Sequence, residues 1–215
     1  MEKALTRKLV NIEVGTVVLQ GDLTVPENAL GLVLFAHGSG SSRLSPRNAF
    51  VAEVLNQGGL ATLLFDLLTE QEDQTYANRF DIDLITTRLS GACSWASKQS
   101  EIRDLPVGYF GSSTGSAAAL CSAAQAPETV RAVVSRGGRP DLVLECLSQV
   151  RAATLLIVGS NDRQVLELNE EAFRHLQCEK TLEIVQGAGH LFEEAGALET
   201  VARLARDWFV KHLGS

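Results

Sequence analysis

The stretch Gly111-Ser112-Ser113-Thr114-Gly115 matches the pattern G-x-S-x-G only when it is centred on Ser113. An apolar run, "PVGYF", leads into it, and an alanine-rich run, "SAAALCSAA", leads out. Those flanks predict a strand that turns abruptly into a helix, with a strained residue at the turn. Glycines are needed two positions either side, where a Cβ would strike neighbouring backbone. A hydroxyl at such a turn projects from the chain, and the helix N-terminus beneath it favours developing negative charge. The chemistry this suits is attack of an oxygen nucleophile on an acyl carbon. A tight strand–helix packing turn with no chemistry would use the same small residues, so partners decide between the two readings.

A serine nucleophile needs a base, and the base needs a group to orient it. Of the four histidines, His175 and His212 fall in helical segments among charged residues and read as solvent-facing, while His37 closes a strand just before Gly38. His190 sits in "QGAGHLFEE", a glycine-rich loop beyond an apolar run, where a side chain is free of any helix face. Between serine and histidine, "LLIVGSNDRQV" places Asp162 three residues past a strand-like run. Taken singly, Asp162 also fits a helix N-cap, and His190 a loop histidine bonding to backbone carbonyls. Taken together, Ser113, Asp162 and His190 each follow a strand end, so one sheet edge would gather all three.

The segment "FAHGSGSSR" follows the first buried strand-like run. Its small residues let backbone approach a substrate carbonyl closely, and the N–H groups of Ser39 and Thr114 are the candidate oxyanion donors. No GK[ST] follows, which argues against a phosphate-binding P-loop, and no GxGxxG occurs. Arg136 and Arg139 in "VSRGGRPD" lie on the same edge. Either guanidinium could fork onto a substrate carboxylate, or simply pair with a surface acid. Trp95, Trp208 and Phe209 fall in helical segments and read as core.

The elements that must position these residues are legible from periodicity. "KLVNIEV" and "TVVLQGDLTV" alternate around Gly15, as an antiparallel hairpin does. "LVLFAH", "LATLLFD", "PVGYFG", "VRAVVS", "ATLLIVG" and "TLEIVQG" are short apolar runs without alternation, the mark of parallel strands buried on both faces. Segments of helical period separate them, beginning with "RNAFVAEVLNQGG" and ending with "ALETVARLARDWFVKHL". The acidic "TEQEDQ" reads as a loop. Alternation of this kind implies an α/β sheet with helices on both faces and its sites at the strand C-termini. No linker or repeat interrupts it, so one domain over 1–215 is expected, with no inserted cap.

A chain of 215 residues with 45% apolar and 21% charged residues has the make-up of an ordinary globular protein. The net charge of −7 and the lack of a basic cluster argue against nucleic-acid and membrane partners. Cys93, Cys121, Cys146 and Cys178 form no metal-ligand spacing, and no leader or long apolar span is evident. The expectation is a cytoplasmic protein with reduced thiols, no metal and no cofactor.

With "HGSGSS", "GSSTG", "GSNDRQV" and "GAGHLF" in that order, nearly the whole chain resembles the α/β-hydrolase superfamily, and most nearly its small, lidless dienelactone-hydrolase-like members. The resemblance implies a mostly parallel sheet of about eight strands with an N-terminal antiparallel hairpin. It also implies a catalytic triad of Ser113, Asp162 and His190 with an oxyanion hole at Ser39 and Thr114. One departure stands out: that family uses a cysteine nucleophile, and the matching position here is Ser113. The expected activity is therefore hydrolysis of a small ester, thioester or related acyl substrate through an acyl-enzyme. The rival readings are a non-catalytic small-ligand binder on the same fold, or an acyltransferase or C–C hydrolase using the same three residues.

Overall fold

A computed structural model describes residues 5–214 of the chain. Strands β1 (Leu5–Val14) and β2 (Val17–Pro26) form the antiparallel hairpin, with Val14 facing Val17 across a turn in which Gly15 has φ +60°. Primed hairpin turns require positive φ, which glycine adopts without steric cost. Alternation sorts the hairpin: Ile12 and Val14 are buried while Glu13 between them is exposed.

Strands β3 (Leu32–Ala36), β4 (Ala61–Phe65), β5 (Val107–Ser112), β6 (Val130–Arg136), β7 (Ala153–Gly159) and β8 (Lys180–Val185) complete an eight-stranded sheet in the order β1-β2-β4-β3-β5-β6-β7-β8. β2 meets β4 antiparallel, and the ladders from β4 to β8 are parallel. Every residue of β3, β4, β5 and β7 is buried, as their unbroken apolar runs require. β8 departs from that reading. It is an edge strand and buries only Val185 fully.

Two apolar layers flank the sheet. Helices α3 (Ile82–Ala96) and α4 (Thr114–Gln125) cover one face through Ile85, Leu89, Ala118 and Leu120. Helices α1 (Pro46–Gln57) and α7 (Ala197–Leu213) cover the other through Val51, Leu55, Val201 and Phe209. The acidic stretch read as a loop contains a single-turn helix, α2 (Glu70–Asp73). Thr69 caps it and Glu72 reaches back to the Thr69 N–H, a reciprocal capping box. A 3-10 turn (Pro140–Val143) and the short helix α5 (Leu144–Leu147) link β6 to β7, and α6 (Arg163–His175) links β7 to β8. Trp95 and Trp208 pack against the core and Phe209 lies within it. His212 is not solvent-facing; its ring packs tilted against Trp208 with centroids 4.5 Å apart. All four cysteines are free thiols. Among the described residues no helix is long and apolar enough to cross a membrane.

Candidate active site

Ser113 occupies the turn between β5 and α4 at φ 50° and ψ −123°, a strained conformation for a residue with a side chain. The flanking glycines are obligatory for contact as well as for the turn. A Cβ on Gly115 would lie 2.1 Å from the Ala36 carbonyl oxygen, and one on Gly111 would lie 2.5 Å from Ser116 Cα. Without those side chains, the start of α4 packs directly against the end of β3 and brings the Gly38 loop to the serine. Gly38 is so close that a Cβ there would lie 3.2 Å from Ser113 Cβ.

The Gly38 loop is anchored through His37. The Leu67 N–H donates to His37 Nε2 at 3.0 Å, so that nitrogen is unprotonated. The proton therefore resides on Nδ1, which donates to the Gly38 carbonyl at 3.0 Å. Burial lowers the His37 pKa and keeps the ring neutral. Just beyond, the Ser39 N–H donates to Thr114 Oγ1 at 2.9 Å. The sequence points to Thr114 for its backbone N–H alone, yet its hydroxyl holds the other candidate donor. The Thr114 N–H itself, at the first residue of α4, has no intrahelical acceptor.

Asp162 stands at the N-cap position of α6, but its carboxylate makes no capping bond. Oδ2 instead meets His190 Nδ1 at 2.6 Å, with the Asp162 side chain 16% and the His190 side chain 40% exposed. A carboxylate at Nδ1 holds the proton there and leaves Nε2 as the basic nitrogen. The two loops carrying these residues are tied to each other. The Asn161 N–H donates to the Ala188 carbonyl at 2.9 Å, Asn161 Nδ2 to the Gly187 carbonyl at 2.7 Å, and the Gly187 N–H to Ser160 Oγ at 2.8 Å. Ser160 and Asn161 were not singled out in the sequence. The polar run "GSND" at a strand end was the available signal.

The imidazole rests over Gly137, where a Cβ would lie 3.5 Å from its Nδ1 and Cε1. Gly137 follows Arg136, whose carbonyl accepts the Ser113 N–H at 3.2 Å. Ser113, Asp162 and His190 thus collect at the ends of β5, β7 and β8. Ser113 and His190 share no hydrogen bond in this arrangement; catalytic bonds of free enzymes are often long and tighten on substrate binding.

The two arginines differ. Arg139 forks onto Asp141 through Nε and Nη2, both at 2.8 Å, and is occupied as a surface ion pair. Arg136 is buried, with 8% exposure. A cleft of about 700 Å³ opens on the β4 side of the Gly38 loop, lined by His37, Ser41, Arg43, Asp66 and Glu70 among others.

No family model matches the chain. It is 55% identical to a dienelactone hydrolase from Anabaena variabilis, over 97% of this chain and 99% of that one, with a TM-score of 0.96. On that likeness the chain belongs to the dienelactone hydrolase-like α/β-hydrolases. The esterase Est1E from Butyrivibrio proteoclasticus shares the fold at a TM-score of 0.83 and 15% identity, over 96% of this chain and 99% of that one. Two Mycobacterium tuberculosis proteins, each named "Putative phosphoribosyl transferase", are 56% identical over 95% of this chain. The chain spans about half the length of these curated relatives, 46% of each.

Proposed function

We propose that the chain is a serine hydrolase that cleaves a small ester, thioester or related acyl substrate through an acyl-enzyme. The observation that carries this reading is the 2.6 Å contact between the Asp162 carboxylate and His190 Nδ1, made in preference to a helix cap. It leaves His190 Nε2 as a base on the sheet edge that carries the strained Ser113.

In this reading Ser113 Oγ attacks the acyl carbon as His190 takes its proton. The tetrahedral oxyanion is received by the N–H groups of Thr114 and Ser39. His190 returns the proton to the leaving group, and water then repeats the sequence on the acyl-enzyme. Asp162 holds the imidazole in the productive tautomer and offsets its transient charge. The Ser39 N–H must turn from Thr114 Oγ1 toward the oxyanion, a short shift within a loop that His37 anchors.

Family membership supports hydrolytic chemistry. The phosphoribosyl transferase name belongs to proteins more than twice as long as the shared segment.

Labelling with a fluorophosphonate probe tests the assignment. The wild-type chain should be modified at Ser113 and should hydrolyse 4-nitrophenyl acetate. Ser113→Ala should lose both while retaining its circular dichroism spectrum. An unlabelled wild type would favour the ligand-binding alternative, and acyl transfer to added alcohols in preference to water would favour an acyltransferase.

A further inference from the structure

Helix α6 buries Val165, Asn169 and Ala172 on one face. Their spacing of four and three residues is that of a core-facing stripe, where apolar side chains are the rule. Asn169 breaks the stripe, although it is completely enclosed. Its Nδ2 donates to the Gly138 carbonyl at 3.0 Å and to the Val165 carbonyl in its own helix at 2.8 Å. Its Oδ1 meets no donor among the described residues. Only the amide nitrogen can serve a carbonyl oxygen, so these two acceptors fix which way the amide faces. A buried amide with half of its bonding capacity unused is destabilising, and an apolar side chain in its place would avoid that penalty. What an apolar side chain could not do is hold the Gly138 carbonyl.

Gly138 belongs to the turn that leaves β6, and this turn touches both reacting groups of the proposed mechanism. The Ser113 N–H donates to the Arg136 carbonyl at 3.2 Å, and the Arg139 N–H donates to the Ser113 carbonyl at 3.1 Å. Between those two bonds Gly137, at φ +51°, lies under the His190 ring. Residues 136–139 therefore bracket the backbone of the nucleophile and support the base. Ser135 and Ser116 crowd Gly138, since a Cβ there would lie 2.0 Å and 2.6 Å from their hydroxyl oxygens. Both hydroxyls are enclosed and without partners among the described residues, so they limit Gly138 by contact and not by bonding. Among the described residues, the bond from Asn169 is the only hydrogen bond that Gly138 makes.

One helix thus carries two anchors. Asp162, at the N-cap of α6, meets His190, and Asn169, further along, meets the turn beneath His190. We propose that Asn169 is a positioning residue for the reaction: its amide ties the 136–139 turn to α6 and so keeps Ser113 and His190 in register with Asp162. The inference deepens the serine hydrolase reading and rests on it. A displacement of about 1 Å in a reacting group lowers a rate by roughly a hundredfold, so one buried bond beneath the pair has leverage.

The test is Asn169→Leu, whose side chain branches where asparagine does but donates nothing. Turnover of 4-nitrophenyl acetate is measured well below the melting temperature, and active molecules are counted by complete fluorophosphonate labelling of Ser113. Per labelled molecule, kcat should fall by about tenfold to a hundredfold, with KM within about twofold of wild type. The rate constant of labelling should fall in parallel, because it reports the same serine and base. Leu176→Ala opens a cavity at the far end of α6, where Leu176 is fully buried. It should lower the melting temperature and leave kcat per labelled molecule unchanged.

A folded Asn169→Leu that is less stable but keeps its kcat and labelling rate overturns the proposal, because the amide would then serve stability alone. An equal fall of kcat in Leu176→Ala overturns it as well, since any loosening of α6 would have the same effect. If Asn169→Leu fails to fold, Asn169→Ser, too short to reach Gly138, is judged by the same criteria. Labelling of the wild type separates the two failures. A labelled wild type with an unimpaired Asn169→Leu leaves the hydrolase standing and removes the positioning role. An unlabelled wild type removes the hydrolase, and the positioning role with it.

Discussion

The Ser39 N–H donates to the Thr114 hydroxyl at 2.9 Å, so one candidate oxyanion donor is already satisfied by the residue that follows Ser113. The bond ties the Gly38 loop to the start of α4, and in the proposed mechanism the donor changes partner. Thr114→Val removes the competing acceptor and preserves the backbone N–H. It should lower stability by about 1 kcal/mol, because the Ser39 N–H is left unsatisfied in the free protein. It should raise kcat/KM for 4-nitrophenyl acetate several-fold. A fall of more than about tenfold would show instead that the hydroxyl itself serves the reaction.

Asp162 occupies a helix N-cap without capping the helix, which separates its effect on activity from its effect on stability. Asp162→Asn should reduce kcat by roughly 10³–10⁴-fold, since an amide no longer enforces the productive imidazole tautomer. The unfolding free energy should change by less than about 0.5 kcal/mol. A loss of stability comparable to that of a removed cap would point to a structural role.

Ser113 is held at φ 50° by the turn. Ser113→Gly should be more stable than Ser113→Ala by about 1 kcal/mol, because glycine adopts that backbone without strain. Both variants should be inactive. Thermal melts of the pair under one condition provide the comparison, and equal melting temperatures would mean that the turn stores no strain.

Burial holds His37 below the ordinary histidine value of about 6.5. As pH falls through that value the unfolded chain takes up a proton that the folded chain refuses. The stability from neutral His37 is therefore complete above about pH 6.5 and declines below it. His212, also lowered by burial, acts in the same direction. The melting temperature should drop between pH 7.5 and 5.5, and His37→Gln should flatten that slope. An unchanged slope would mean that the imidazole is protonated without penalty.

Much of the fold was legible because its strands differ so sharply from its helices. Unbroken runs such as "LVLFA" and "ATLLIVG" can be satisfied only by burial on both faces, and the alternating hairpin announced itself around Gly15. The edge strand β8 misled, because "TLEIVQG" is apolar enough to resemble a central strand and its position in the sheet is not a local property. The helix at Glu70 was also missed, although Thr69 and Glu72 have the spacing of a capping box. At the site, residue types and order singled out Ser113, Asp162 and His190. The hydrogen bonds of Ser160, Asn161 and Thr114 that tie the loops together are made between segments far apart in the chain, and no local pattern reports them.

By itself the sequence determined which residues are chemically able to act: a serine between two glycines, an aspartate and a histidine each beyond a strand, and two arginines on the same edge. These follow from local sterics and periodicity, which a short window contains. Only the tertiary structure decided which partners those groups have. Packing brought Asp162 to His190 instead of to its own helix, gave Arg139 an acid, and enclosed Arg136 without one. The physical reason is that burial and partnership depend on what other segments deliver to the same place, and a charge deprived of water is defined by its neighbours in space.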